Sequence, residues 1–198
     1  MAIGERRSPE DELQDYARLQ VRAGFLDAEQ TKAEVVAAIQ AELPGIDADV
    51  LARAWLARAT AQLRTEAAGW PPQTDYDRLQ AVFAECEDHQ VGVLQGIEDH
   101  WAAKAELDRL AGVDQTPRGV AWFTSSDVWH AVDEGMLEVN LWHGSTANAA
   151  PGDLLLDAVL ACFARNGLPA HFDDGRIEVS AHWQRRPGGQ VTHEAWAE

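Results

Sequence analysis

Apolar residues recur three and four positions apart through the first third of the chain. Beyond it, short runs that alternate by twos are interleaved with further helical spacing, so the pattern predicts helices first and a mixture of helices and strands after them. Ser8-Pro9-Glu10-Asp11 reads as a helix start, with Ser8 as cap, proline at the first helical position and acids at the positive end. A stripe of Leu13, Tyr16, Ala17 and Val21 follows and stops at Gly24. Asp27, with Gln30 three residues on, opens a second helix bearing Val35, Val36, Ile39 and Leu43, which Pro44-Gly45 ends. Asp47 opens a third, with Leu51, Ala54, Trp55 and Leu63, closed by Gly69. Trp70-Pro71-Pro72-Gln73 is then a stiff linker, because consecutive prolines cannot continue a helix.

Past the linker, Thr74 caps a helix that runs to about Asp88 with Leu79, Val82, Phe83 and Cys86 inward. Strands are expected at 91–95, 119–124, 136–143, 169–173 and 176–183, and helices at 97–111, 127–133 and 153–166. The helix at 97–111 is read with Trp101, Leu107 and Leu110 on its apolar side. Asp174-Gly175 is a two-residue hairpin turn, since both central positions need positive φ. Counting outward pairs Asp173 with Arg176, Phe172 with Ile177, His171 with Glu178 and Ala170 with Val179, so that apolar meets apolar and polar meets polar at every step. The connection from Thr124 to Met136 is short for a parallel crossover, which makes part of the sheet antiparallel.

The fold class is therefore α+β: a three-helix N-terminal segment (1–69), a linker (70–73), an α+β domain (74–186) and a C-terminal tail (187–198). The N-terminal helices are expected to pack on a small mixed sheet. The helices at 75–88 and 153–166 cover mainly one face of that sheet, and a β-hairpin closes the chain.

Charge narrows the partners. The net charge is −17 and uneven: residues 1–73 carry 8 basic and 12 acidic side chains, residues 74–198 carry 8 and 21. Such a surface repels phosphate backbones and anionic lipid, which excludes nucleic-acid and membrane binding and leaves a protein or small-molecule partner. No apolar run reaches the roughly 20 residues of a membrane span, and Met1–Ser8 lacks a signal-peptide core, so the expected location is the cytoplasm.

Nucleotide-binding glycine motifs, His-Glu-x-x-His and Gly-x-Ser-x-Gly are all missing. Thr74, Asp75, Asp77 and Arg78 are read as a helix cap. Ser125-Ser126-Asp127, beside His130, is also read as a cap rather than a nucleophile. His171, Asp173, Asp174, Glu178 and His182 gather the most metal-binding side chains, but His182 lies roughly 13 Å along the strand from Glu178. A solvated strand face explains that set better than chelation does. Cys86 and Cys162 each sit at helical spacing among apolar residues, without a Cys-x-x-Cys partner, and are read as buried hydrophobes. No cofactor, metal or stoichiometric zinc is expected. Trp55, Trp122 and Trp183 fall on apolar faces, whereas Trp142 shares the polar face of its strand with Glu138 and Asn140. That places it either under the N-terminal helices or at the centre of a binding surface. The candidate binding residues are thus Trp142, Glu138, Asn140, His171, Glu178 and His182.

Trp70-Pro71-Pro72 followed by Thr74-Asp75-x-Asp77-Arg78-Leu79, together with Val21-Arg22-Ala23-Gly24-Phe25, Asn166-Gly167-Leu168 and Trp183-Gln184-Arg185-Arg186, resembles a family of bacterial proteins built on a domain of unknown function frequent in actinobacteria. The resemblance spans nearly the whole chain and implies an α+β domain with no assigned activity. Relatives carry a cysteine cluster just after the first strand. Gly96-Ile97-Glu98-Asp99-His100-Trp101 holds none here, so no thiolate chemistry carries over at that position. Function is expected to be that of a non-catalytic binding or regulatory protein, the alternative being a hydrolase or metal-dependent enzyme whose site assembles from distant residues.

Overall fold

Four helices begin with the same reciprocal device. Ser8 and Asp11, Asp27 and Gln30, Thr74 and Asp77, and Thr124 and Asp127 each form a capping box, in which the cap and the residue three on satisfy one another's backbone N–H. The computed structural model describes residues 7–112 and 116–188. These fall into two compact units, the first running to Trp70 and taking back residues 186–188, the second running from Pro71 to Arg185.

The first unit holds α1 (Pro9–Ala23), α2 (Ala28–Glu42) and α3 (Ala48–Ala67). Leu13, Ala17, Val35, Ile39, Ala48, Ala52 and Trp55 form its core, the small alanines letting the helices approach around one indole. Ion pairs Arg22–Glu66 and Lys32–Asp49 tie α1 and α2 to α3. Arg186 returns to donate to the Ala67 carbonyl at 2.9 Å, joining the Trp70 N–H on that acceptor at the C-terminus of α3 and placing a cation at the negative end of the helix. The tail expected at 187–198 lies almost wholly outside the described residues.

The second unit contains α4 (Asp75–Asp88), β1 (Val91–Ile97), α5 (His100–Gly112), β2 (Gly119–Thr124), α6 (Ser125–Asp133), β3 (Met136–His143), α7 (Leu154–Arg165), β4 (Ala170–Asp173) and β5 (Arg176–Ser180). The sheet order is β1-β2-β3-β5-β4. Only β1 and β2 are parallel, joined through α5, and the other pairs are antiparallel. Its inner face carries Ala121, Phe123, Leu137, Val139, Leu141, Ile177 and Val179, all buried, beneath α4 and α7. Phe83 of α4 meets Phe123 at 5.7 Å, and Phe123 in turn meets Trp183 edge-on at 5.9 Å.

The hairpin has the expected register at all four pairs, and Asp174 and Gly175 both have positive φ. Elsewhere the boundaries move for identifiable reasons. β1 runs on to Ile97 through an irregularity after Leu94, with Gly96 at φ 63°. Asp99 then caps α5 by accepting from the Trp101 and Ala102 amides. Thr124, not the serines, caps α6. The last strand stops at Ser180, and the chain continues by donating Ala181 N–H to Gly135 and Trp183 N–H to Ala131. Trp101 is out of phase with the true stripe of Ala103, Leu107 and Leu110 and stands 64% exposed.

Gly135 ends α6 at φ 73°, and a methyl group there would meet the His182 ring at 2.5–2.9 Å. Gly135→Ala is therefore expected to lower stability by about 2 kcal/mol, combining left-handed strain with displacement of the imidazole. Urea unfolding followed by circular dichroism checks it, and a loss below about 0.5 kcal/mol would contradict the packing of His182 on Gly135.

Candidate functional site

The outer face of the sheet is half covered. Ala103 and Leu107 of α5 pack on Val120 and Trp122, with Leu94, Ile97 and Trp142 closing the cluster. Trp142 meets Trp122 edge-to-face at 5.0 Å and 71°. Its cover is thus α5, within the same unit, and it remains half-buried at the rim. The Trp122 indole N–H, at the base of this cluster, is buried with no hydrogen-bond partner.

Past Trp142 the face turns polar, because strand alternation puts Glu138 and Asn140 on the side opposite Leu137, Val139 and Leu141. Asn140 donates to the Trp122 carbonyl at 3.4 Å. Glu138 lies opposite Glu178 across β3 and β5, a like-charge pair that Arg176 offsets by pairing with Glu138. His171 Nε2 stands 3.4 Å from Glu178 Oε2, so the pair predicted across the hairpin does meet. On this side α5 packs against β1 and β2, while α7, which belongs to the inner face, contacts β4. Fold geometry therefore brings Trp142, Glu138, Asn140, His171 and Glu178 onto one continuous surface. His182 is not part of it: beyond the end of β5 its ring lies on Gly135 and its amide donates to Asp75 at 3.2 Å.

A second cluster, between α4 and α7, was not anticipated. Glu85 in the last turn of α4 and His89 at its C-cap lie on the same side, which the C-terminal end of α7 meets with Cys162, Arg165 and the C-cap Asn166. One ligand atom from each of Glu85, His89 and Cys162 lies within 4.8 Å of the others. The Arg165 guanidinium pairs with Glu85 and stands 3.4 Å from both His89 Nε2 and Cys162 Sγ. Since arginine only donates, His89 turns its Nε2 lone pair toward that centre. Asn166 donates to Glu85 at 2.8 Å, and the hydrogen bonds from Arg165 and Asn166 hold this carboxyl below its ordinary range. Burial pushes the Cys162 thiol up, against a hydrogen bond from the neighbouring Cys86 thiol that acts in the opposite direction. Both cysteines are free and buried, as their apolar spacing required.

In the first unit a cleft of about 230 Å³ lies between α1 and α3, lined by Trp55, Arg7, Arg18, Arg58, Asp11 and Asp15. Asp15 pairs with both Arg7 and Arg18, at 3.1 and 2.7 Å.

Residues 6–187 match the family described as a domain of unknown function (DUF6891). The chain belongs to that family. No curated protein matches it, and no solved structure does. Membership spans both units and includes the outer sheet face and the α4–α7 cluster alike. Among the described residues, no helix is long and apolar enough to cross a membrane.

The sequence signal for the second cluster was present only in part. Glu85 and His89 have the one-turn spacing of paired helix ligands, yet the third donor lies more than seventy residues away and only the packing of α4 on α7 supplies it. Reasoning from cysteine spacing alone therefore missed it.

Proposed function

We propose that the chain is a non-catalytic binding protein of the cytoplasm that takes a basic protein partner on the outer face of β3, β5 and β4. The observation that carries this reading is the face itself: α5 packs on Val120 and Trp122, and beyond it the strands carry the partly exposed Glu138, Glu178 and His171. Trp142 at the boundary supplies a rigid aromatic anchor, Asn140 a hydrogen-bonding amide, and Glu138, Glu178 and His171 the polar rim. A net charge of −17 raises the encounter rate with a cationic partner and disfavours anionic ones.

The test is a panel of arginine- and lysine-rich peptides at low ionic strength, read by tryptophan fluorescence. Wild-type protein should bind a subset of them. Reversal of both acids in Glu138→Lys/Glu178→Lys should weaken binding at least tenfold, about 1.4 kcal/mol, with circular dichroism used to confirm that the variant keeps its fold after Glu138 loses its pair with Arg176. Equal binding by the reversed variant would remove this face from the account. A second reading, a metal-dependent site assembled from distant residues, is favoured by one specific observation, the convergence of Glu85, His89 and Cys162.

A further inference from the structure

We infer that α4 and α7 form a zinc site in which Glu85, His89 and Cys162 bind the ion and displace the Arg165 guanidinium that sits among them in the metal-free chain. This goes beyond partner binding on the sheet and stands on different residues.

The donor set comes first. Thiolate, imidazole and carboxylate together suit zinc, whose bonds to them run about 2.0–2.3 Å and so separate neighbouring ligand atoms by roughly 3.5 Å in a tetrahedron. Atoms already within 4.8 Å of one another need only side-chain adjustment to close on an ion. Glu85 comes from the last turn of α4, His89 from its C-cap and Cys162 from the helix packed on it, so the ligand backbones are set by two docked helices.

The position of Arg165 is the second observation, independent of ligand type. One guanidinium pairs with Glu85 and approaches both His89 Nε2 and Cys162 Sγ at 3.4 Å. Three donors with nothing else in common thus face a single positive charge. Its side chain is half exposed, so it can leave for solvent as an intact cation.

Charge balances on exchange. Before it, the Glu85 carboxylate and the Arg165 guanidinium cancel. When zinc binds, Cys162 releases its proton to solvent as the zinc–sulfur bond forms, and the ion's two positive charges are matched by one thiolate and one carboxylate. Asn166, held on Glu85 at 2.8 Å, fixes the carboxylate, and the Cys86 S–H steadies the thiolate it hydrogen-bonds. Three protein ligands beside an exposed His89 leave the fourth position to water, the coordination of an open rather than a closed zinc site.

The test uses tag-free full-length protein, stripped with chelator, then dialysed against zinc and separately against cobalt(II). One equivalent of retained zinc is expected, and the cobalt form should show a thiolate-to-metal charge-transfer band in the near ultraviolet. His89→Gln, a surface change that preserves folding, and Cys162→Ser should each weaken binding by more than the roughly 10–100-fold that loss of an outer partner costs. Both should abolish or shift the band. Arg165→Ala should bind zinc about three- to tenfold more tightly, because the competing cation is gone; a purely structural ion pair would not produce that gain. The inference is overturned by wild-type protein that retains no zinc, by retention unchanged in His89→Gln and Cys162→Ser, or by Arg165→Ala binding no better than wild type. None of these outcomes bears on peptide binding at the sheet face, so the two readings fail separately.

Discussion

Phe123→Ala should lower the stability of the sheet-containing unit by about 4 kcal/mol, a large share of the 5–15 kcal/mol that holds a typical domain together. Phe123 is fully buried on the inner face of β2 and touches elements that arrive from both ends of the unit. Phe83 of α4 lies 5.7 Å away on one side and Trp183, from the segment after β5, 5.9 Å away on the other. Neither neighbour is free to collapse into the space a lost ring would leave. Trp183 is pinned by an edge contact to Tyr76 at 4.9 Å and by the hydrogen bond its backbone N–H donates to the Ala131 carbonyl, and Phe83 sits on a helix packed against both β1 and α7. The cavity term should therefore be near its full size. Phe123→Leu, which keeps most of the volume, should cost less than about 1.5 kcal/mol. Urea unfolding of both variants, with slopes compared to wild type, measures this. A loss under about 2 kcal/mol for the alanine variant would mean that α4 and the last strand region are held by something other than this aromatic chain.

Zinc at a hundredfold excess over its dissociation constant should stabilise the protein by about 2.7 kcal/mol, with an effect that grows with pH. The sign follows from Cys162. Burial raises the thiol in the metal-free fold, so it keeps its proton through the neutral range. Because the folded value lies above the unfolded one, the metal-free protein has its full share of this stability below the ordinary thiol range and loses it as pH rises through the raised value. Zinc must expel the same proton, so its affinity gains about tenfold for each unit of pH between 6 and 8, and the thermal shift at a fixed zinc concentration widens accordingly. Differential scanning fluorimetry at several pH values reads this. A shift that is flat with pH, or equally large in Cys162→Ser, would contradict ligation by that sulfur.

Local chemistry carried most of the fold into the sequence. The cap residues, the prolines after Trp70 and the Asp-Gly turn each specify a backbone state without reference to distant residues, and the elements they bound appear where expected. The hairpin register was legible for the same reason, since alternation on both strands agrees with the turn. What the chain did not disclose depends on packing between elements remote in sequence. Trp142 looked like either a docking anchor or a residue under the N-terminal helices, because nothing local says that α5 crosses over β1 and β2 and that its cluster reaches β3 at Trp142. The α4–α7 cluster was hidden likewise: Cys86 and Cys162 read correctly as buried, yet their meeting beside Glu85 and His89 is a property of helix docking. His182 was grouped with Glu178 by strand periodicity, and the strand simply ends before reaching it.

The outer face of the sheet is tested most directly by titrating isotope-labelled protein with an arginine-rich peptide at low ionic strength and following backbone and indole N–H resonances. The expected perturbations fall on Glu138, Asn140, His171 and Glu178 and on the indole of Trp142, and they fade as salt screens the charges. Perturbations confined to other surfaces, such as the α1–α3 cleft, or none at all at low salt, would contradict it.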